Sequence, residues 1–135
     1  MIAAEPVTEA RRPSKPKTGD CYAAAVSYLV ANGGLTSIVP AKKEGLLLVH
    51  GEVTGQGPPP PAGVGGVQYG HAWIEDGNTV IDTSNGRHLV LPRAVYYKVG
   101  GIGSNVYRYT VAEARAKLVS TRVYGPWDLQ TSTGL

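Results

Sequence analysis

His71-Ala72-Trp73-Ile74-Glu75-Asp76-Gly77-Asn78-Thr79-Val80-Ile81-Asp82 is the stretch on which the reading of this chain turns. Tyr69 to Glu75 and Thr79 to Thr83 are rich in β-branched and aromatic residues, and Asp76-Gly77 is a dipeptide that two-residue type I′ turns prefer. The spacing predicts a tight β-hairpin in which Glu75 faces Asn78, Trp73 faces Val80 and His71 faces Asp82. Opposed residues of a ladder share one face, with Cβ atoms about 4.5–5.5 Å apart. A loop two residues longer would move His71 and Asp82 to a diagonal but keep them on one side, whereas an odd change would split them. An imidazole beside a carboxylate on one sheet face is the base-and-orienter half of a catalytic triad. Such a pair needs a nucleophile.

Cys21 is the only cysteine. That excludes an internal disulfide and any multi-cysteine zinc or iron–sulfur centre. It stands at the end of Thr18-Gly19-Asp20-Cys21, immediately before the clearest helical sequence in the chain, Tyr22 to Ala31 with an Asn32-Gly33-Gly34 stop. Asp20 is expected as the N-cap, and Tyr22, Val26, Leu29 and Val30 as the core-facing stripe. In the first turn of a helix, free backbone N–H groups and the positive end of the dipole favour a thiolate. The bland alternative is a cysteine that fills space at a helix–sheet contact.

The rest of the chain predicts an α+β domain over residues 19–128, with an extended arm over 1–18 and a frayed tail over 129–135. Gly45 to Val53 reads as a buried strand, with His50 a satisfied histidine at its end. Gly55 to Gly66, with prolines from Pro58 to Pro61, is a long surface loop expected to flap over the cleft. His88 to Pro92 and Val106 to Tyr109 read as short strands, and Arg93 to Val99 as a strand or its approach. Thr110 and Glu113 form a capping box before the last helix, whose inner face is either Ala112, Ala116 and Val119 or Val111, Arg115 and Leu118.

Composition narrows the function. The chain has 135 residues, 42% of them hydrophobic and 17% charged, enough for one core. Its longest aliphatic run, Leu46 to Val49, is strand-sized, far short of the roughly 20 residues of a membrane span. No basic-then-apolar order marks a secretory signal, so a cytoplasmic address and no membrane partner are expected. The formal charge is +3, but residues 1–18 carry a net +2 of it. The remainder, nearly neutral, shows no basic stripe for phosphate binding, and nucleic acid is not an expected partner.

In its order of elements the chain resembles the papain-like superfamily, in particular its small transglutaminase-like and NlpC-type branches. Gly19-Asp20-Cys21-Tyr22-Ala23-Ala24, Gly70-His71-Ala72-Trp73-Ile74-Glu75 and Val80-Ile81-Asp82-Thr83-Ser84 carry the likeness, over roughly residues 19 to 110. The size and the Gly- and Tyr-rich termini are also similar to small proteins carried by bacterial viruses. The resemblance implies a papain-like core, a helix bearing the cysteine packed on an antiparallel sheet, followed by a C-terminal helix. It implies Cys21 as nucleophile, His71 as its general base and acid, and Asp82 as the group fixing the imidazole tautomer. No cofactor is implied, and the expected substrate is a protein or peptide. Trp73, on the same face two residues from His71, would either wall the site or serve the core. The family usually places a glutamine or asparagine just upstream of the cysteine to complete the oxyanion hole, and residues 13–20 hold neither. The missing donor then has to come from a backbone amide, Thr18, Gln68 or Tyr69.

Two other classes fit the same residues. One is a non-catalytic binding or inhibitor protein on the same fold. The other is a metal site using Cys21, His71, Asp82 and His50, though no close-spaced ligand pair supports it.

Overall fold

The computed structural model describes residues 20–135, so the N-terminal arm, Gly19 and the candidate donor Thr18 lie outside the described residues. Helix α1 (Cys21–Asn32) is followed by strands β1 (Leu47–Thr54), β2 (Gln68–Asp76), β3 (Thr79–Asp82) and β4 (Leu89–Pro92). Helix α2 (Arg93–Val99), strand β5 (Val106–Thr110) and helix α3 (Val111–Thr121) complete the order. The five strands form one antiparallel sheet in the order β4-β3-β2-β1-β5, an α+β architecture.

Helices cover both faces of the sheet, which explains why β1 and β2 are buried in continuous runs rather than on alternate residues. On one face Cys21, Ala25 and Leu29 of α1 pack on Leu48, Ala72, Ile74 and Ile81, joined by Tyr109 and by Ala114 of α3. On the other, Tyr96 of α2 packs with Val49, Val53, Trp73 and Val80. Burying one such aliphatic side chain stabilises by about 1.5–3 kcal/mol. Alanines propagate α1, and Gly33 closes it by donating its N–H to Leu29 O. Among the described residues no helix is long and apolar enough to cross a membrane.

Several expectations need correction. Arg93 to Val99 is a helix, not a strand. Its tyrosines and valines have strand propensity, but packing Tyr96 and Tyr97 onto the sheet overrides it. The inner face of α3 uses Val111, Ala114 and Leu118, matching two members of the second set, while its third, Arg115, is exposed and donates to Leu35 O at 2.8 Å. The Thr110–Glu113 capping box is present with both hydrogen bonds. Leu129 is buried, Ser132 donates through N and Oγ to Glu52 Oε2, and Thr133 Oγ1 donates to Gln68 O. The proline loop closes on itself through Gly55 N to Val67 O and Gly66 N to Gly55 O, and Gln56 ties it to Val99 O at the end of α2.

Candidate active site

The hairpin turns at Gly77-Asn78, one residue later than Asp76-Gly77, with Gly77 at φ 59° where a side chain would be strained. Asp76 therefore pairs with Thr79, Glu75 with Val80 and Ile74 with Ile81. Trp73 does not face Val80, and His71 does not face Asp82. The slip changes the register by an even step, so side-chain parity survives and His71 and Asp82 remain on one face along a diagonal. His71 Nε2 lies 2.9 Å from Asp82 Oδ2.

Asp82 ends β3 at 1% exposure, yet both oxygens are saturated with donors. Oδ1 accepts from Ser84 N at 2.9 Å and Ser84 Oγ at 2.7 Å, a local turn closed by the side chain. Oδ2 accepts from His71 Nε2, from Tyr96 Oη at 2.7 Å and from Arg87 Nη2 at 3.3 Å. Burial alone would raise its pKa. The His71 hydrogen bond and charge, with Ser84 and Tyr96, outweigh burial and hold the carboxyl well below its ordinary range.

That carboxylate fixes His71. Burial pushes the imidazole pKa down, but the hydrogen bonds and charges of Asp82 and Cys21 more than reverse this and lift it to about 9. The ring packs on Trp73 at a centroid distance of 6.1 Å and meets the Tyr69 ring edge-on at 6.1 Å. Gly51 pairs with His71 across β1, and a Cβ there would stand 2.6 Å from Trp73 Cη2. The missing side chain is what lets the indole lie beneath the imidazole.

Cys21 is the first residue of α1, 6% exposed, with its sulfur beside the His71 ring. Nε2 is the ring nitrogen committed to Asp82. Beyond Ile74 the β2–β3 ladder has ended, and the start of α1 is tied to the turn that follows β3. Asp20 is not a side-chain N-cap. Its Oδ1 accepts instead from Asn85 N at 3.1 Å, and Thr83 Oγ1 donates to Ala24 O at 3.4 Å. These bonds dock the helix end that carries the sulfur.

The other expected site residues divide. Tyr69 is half-buried at the site. Burial raises its phenol pKa, partly countered by Arg87 and reinforced by the charges of Cys21 and Asp82. Gln68 is turned toward the C-terminal segment, its Oε1 3.2 Å from Ser132 Oγ and its carbonyl accepting from Thr133 Oγ1. Trp73 is 1% exposed and backs the imidazole from inside the core, with Nε1 donating to Glu75 Oε2 at 3.1 Å. It does not wall an opening. Glu75 is itself fully buried, held by Tyr97 Oη, by Arg108 Nε at 3.0 Å and by Arg93 Nη1 at 3.5 Å.

His50 is neither at a strand end nor satisfied. It is fully buried in mid-β1, neither ring nitrogen has a hydrogen-bond partner, and Tyr22, Tyr109 and Trp127 box it with ring centroids 4.9–5.2 Å away. Burial pushes its pKa down to about 4 against the opposing charge of Asp128. His50 pairs with Ala72 and so lies on the sheet face opposite His71 and Asp82, and among the described residues no three His, Cys, Asp or Glu side chains form a metal-holding group. Tyr96, Ser84, Arg87 and Tyr22 are the participants that sequence reasoning missed. Ser84 had a signal, since Asp-x-Ser is a common side-chain-closed turn. Tyr96 was hidden by the misread helix. Compared with family models, curated proteins and solved structures, the chain matches none.

Proposed function

We propose that the protein is a thiol-dependent hydrolase or acyltransferase of papain-like type, acting on a peptide, isopeptide or glutamine amide. The observation that carries this reading is the His71 ring, bonded through Nε2 to Asp82 at 2.9 Å and close enough to Cys21 for the thiol to help raise its pKa. The proton given up by Cys21 rests on His71 as an imidazolium, and the sulfur attacks the substrate carbonyl. On collapse of the tetrahedral adduct, the C–N bond breaks and the imidazolium returns its proton to the leaving amine. Water or a second amine then cleaves the thioester, with His71 again accepting the proton. Asp82 stays ionised throughout and holds the imidazole tautomer. First-turn N–H groups of α1, which a helix cannot satisfy internally, supply oxyanion donors in place of the absent glutamine.

The test is acyl-enzyme trapping. Wild-type protein incubated with an activated peptide ester is expected to gain one acyl mass on Cys21, discharged by hydroxylamine. Cys21→Ala and His71→Ala are expected to gain none. Folded wild-type protein that stays unmodified, or is modified elsewhere, overturns the proposal.

One observation favours a second reading. Cys21 and His71 are only 6% and 7% exposed, as in a network that stiffens a binding module without turning over substrate. The same experiment separates the two, because a binding module forms no thioester.

A further inference from the structure

His50 sits in the middle of β1 with no exposed surface, and neither ring nitrogen has a hydrogen-bond partner. Three rings enclose it, Tyr22 of α1, Tyr109 of β5 and Trp127. Gly125 packs its backbone directly on the imidazole. At φ 135° a side chain there would be strained, and a Cβ would stand 2.7 Å from His50 Cε1 and 2.9 Å from Tyr22 Cδ1. Gly125 and Trp127 both belong to the segment over residues 123–135, which follows α3, so part of the histidine's shell comes from the end of the chain.

A neutral imidazole in that shell forgoes its hydrogen bonds, but an imidazolium would be a buried charge with no acceptor. The ionisable groups around it offer little relief. Tyr22 and Tyr109 are neutral phenols, pushed above their ordinary pKa by burial, and Tyr107, paired with His50 across β5, is exposed. The charge of Asp128 opposes the effect of burial, yet its oxygens are taken by Tyr109 Oη at 2.6 Å and by Lys117 Nζ of α3 at 3.2 Å. Glu52, two residues along β1, is held by Ser132 and Asn105.

We infer that the segment over residues 123–135 is an acid-released strap, latched on the sheet by neutral His50 and let go locally when that ring takes a proton. Burial holds the docked ring at a pKa of about 4, against 6.5 ordinarily, so docking is complete above 6.5 and weakens as pH falls towards 4. Hydrogen bonds from Ser132 and Tyr109 hold Glu52 and Asp128 below their ordinary carboxyl values, so both keep their charge through that window and His50 is the group that titrates. Besides Leu129, which is buried, the other anchors of the strap are the bonds of Ser132 to Glu52 and Thr133 to Gln68 O, at the surface where water replaces them. Release bares Tyr22 and the backbone of Gly70, the chain neighbours of Cys21 and His71, since Leu129 and Thr131 cover Gly70. It does not depend on whether Cys21 forms a thioester.

Hydrogen exchange of the full-length protein tests the strap, read as protection factors so that the direct effect of pH on exchange divides out. Between pH 7 and 4.5, protection of the Ser132 amide and the Trp127 indole N–H is expected to fall about fifty-fold, as one proton with values of about 4 and 6.5 dictates. The β2 amides are expected to stay at least ten-fold better protected at both pH values, which marks the opening as local. In His50→Phe the fall is expected to be under three-fold, and His50→Leu serves the same purpose if the phenylalanine variant does not fold. Gly125→Ala, whose methyl meets the ring, is expected to lower protection of the segment at least ten-fold already at pH 7. Unchanged protection in the wild type across this range, a fall that brings β2 to the same level, an equal fall without His50, or a Gly125→Ala segment as protected as the wild type overturns the inference.

Discussion

His71 Nε2 stands 2.9 Å from Asp82 Oδ2 although the two residues are not opposed in their hairpin. The ladder between β2 and β3 stops at Ile74, and the imidazole crosses the diagonal to reach a carboxylate that Tyr96 and Ser84 already hold still. The contact thus depends on parity in the strands and on a helix, α2, that brings in Tyr96 from another part of the chain.

Stability is expected to peak near pH 6.5. His71 keeps its proton up to about 9 in the folded state, against 6.5 ordinarily. Its contribution is complete below 6.5 and is lost as pH rises through 9. His50 acts in the opposite sense, with a folded value of about 4 against 6.5. Between those values the unfolded chain takes up a proton that the folded one refuses, so stability falls on acidification. Asp82, lowered from 3.8, adds a further loss at still lower pH. Urea denaturation across pH is expected to show two limbs around the peak, each on the order of 1–3 kcal/mol. Asp82→Asn should flatten the alkaline limb, and His50→Phe the limb between 6.5 and 4.

Tyr96→Phe keeps the ring against Trp73 and removes one donor to Asp82 Oδ2. The expected cost is about 1–2 kcal/mol in urea denaturation at pH 6.5. A change below about 0.3 kcal/mol would show that the remaining donors already satisfy the carboxylate.

Gly51→Ala puts a methyl group 2.6 Å from Trp73 Cη2 and 2.7 Å from Val106 Cγ1. Overpacking of this kind costs about 1–3 kcal/mol. Because Trp73 backs His71, alkylation of Cys21 in the folded variant is also expected to slow several-fold. Thermal unfolding and the alkylation rate, measured on the same sample, check both halves.

The histidine and the carboxylate were legible in sequence because side-chain alternation tolerates an even slip, so a turn misplaced by one residue left the pairing of faces intact. The start of α1 at Cys21 was legible from its alanine run and glycine stop. Asp20 was misread because capping is a local rule, whereas its oxygen is taken by Asn85, distant in sequence. Arg93 to Val99 was misread because aromatic and branched residues look extended until a sheet surface is there to receive them. His50 was misread for a related reason. Three of its neighbours, Tyr22, Tyr109 and Trp127, come from segments far from it in the chain. The anchoring of residues 129–135 likewise depends on Glu52 and Gln68, partners no local pattern announces.

The convergence of sulfur, imidazole and carboxylate is tested most directly by the rate at which iodoacetamide modifies Cys21 in folded protein at pH 6. Wild-type protein is expected to react at least ten-fold faster than His71→Ala, with Asp82→Asn in between, because the imidazole draws the proton from sulfur and the carboxylate holds the imidazolium. Equal rates in all three proteins, or modification of the wild type only after denaturation, would contradict the convergence.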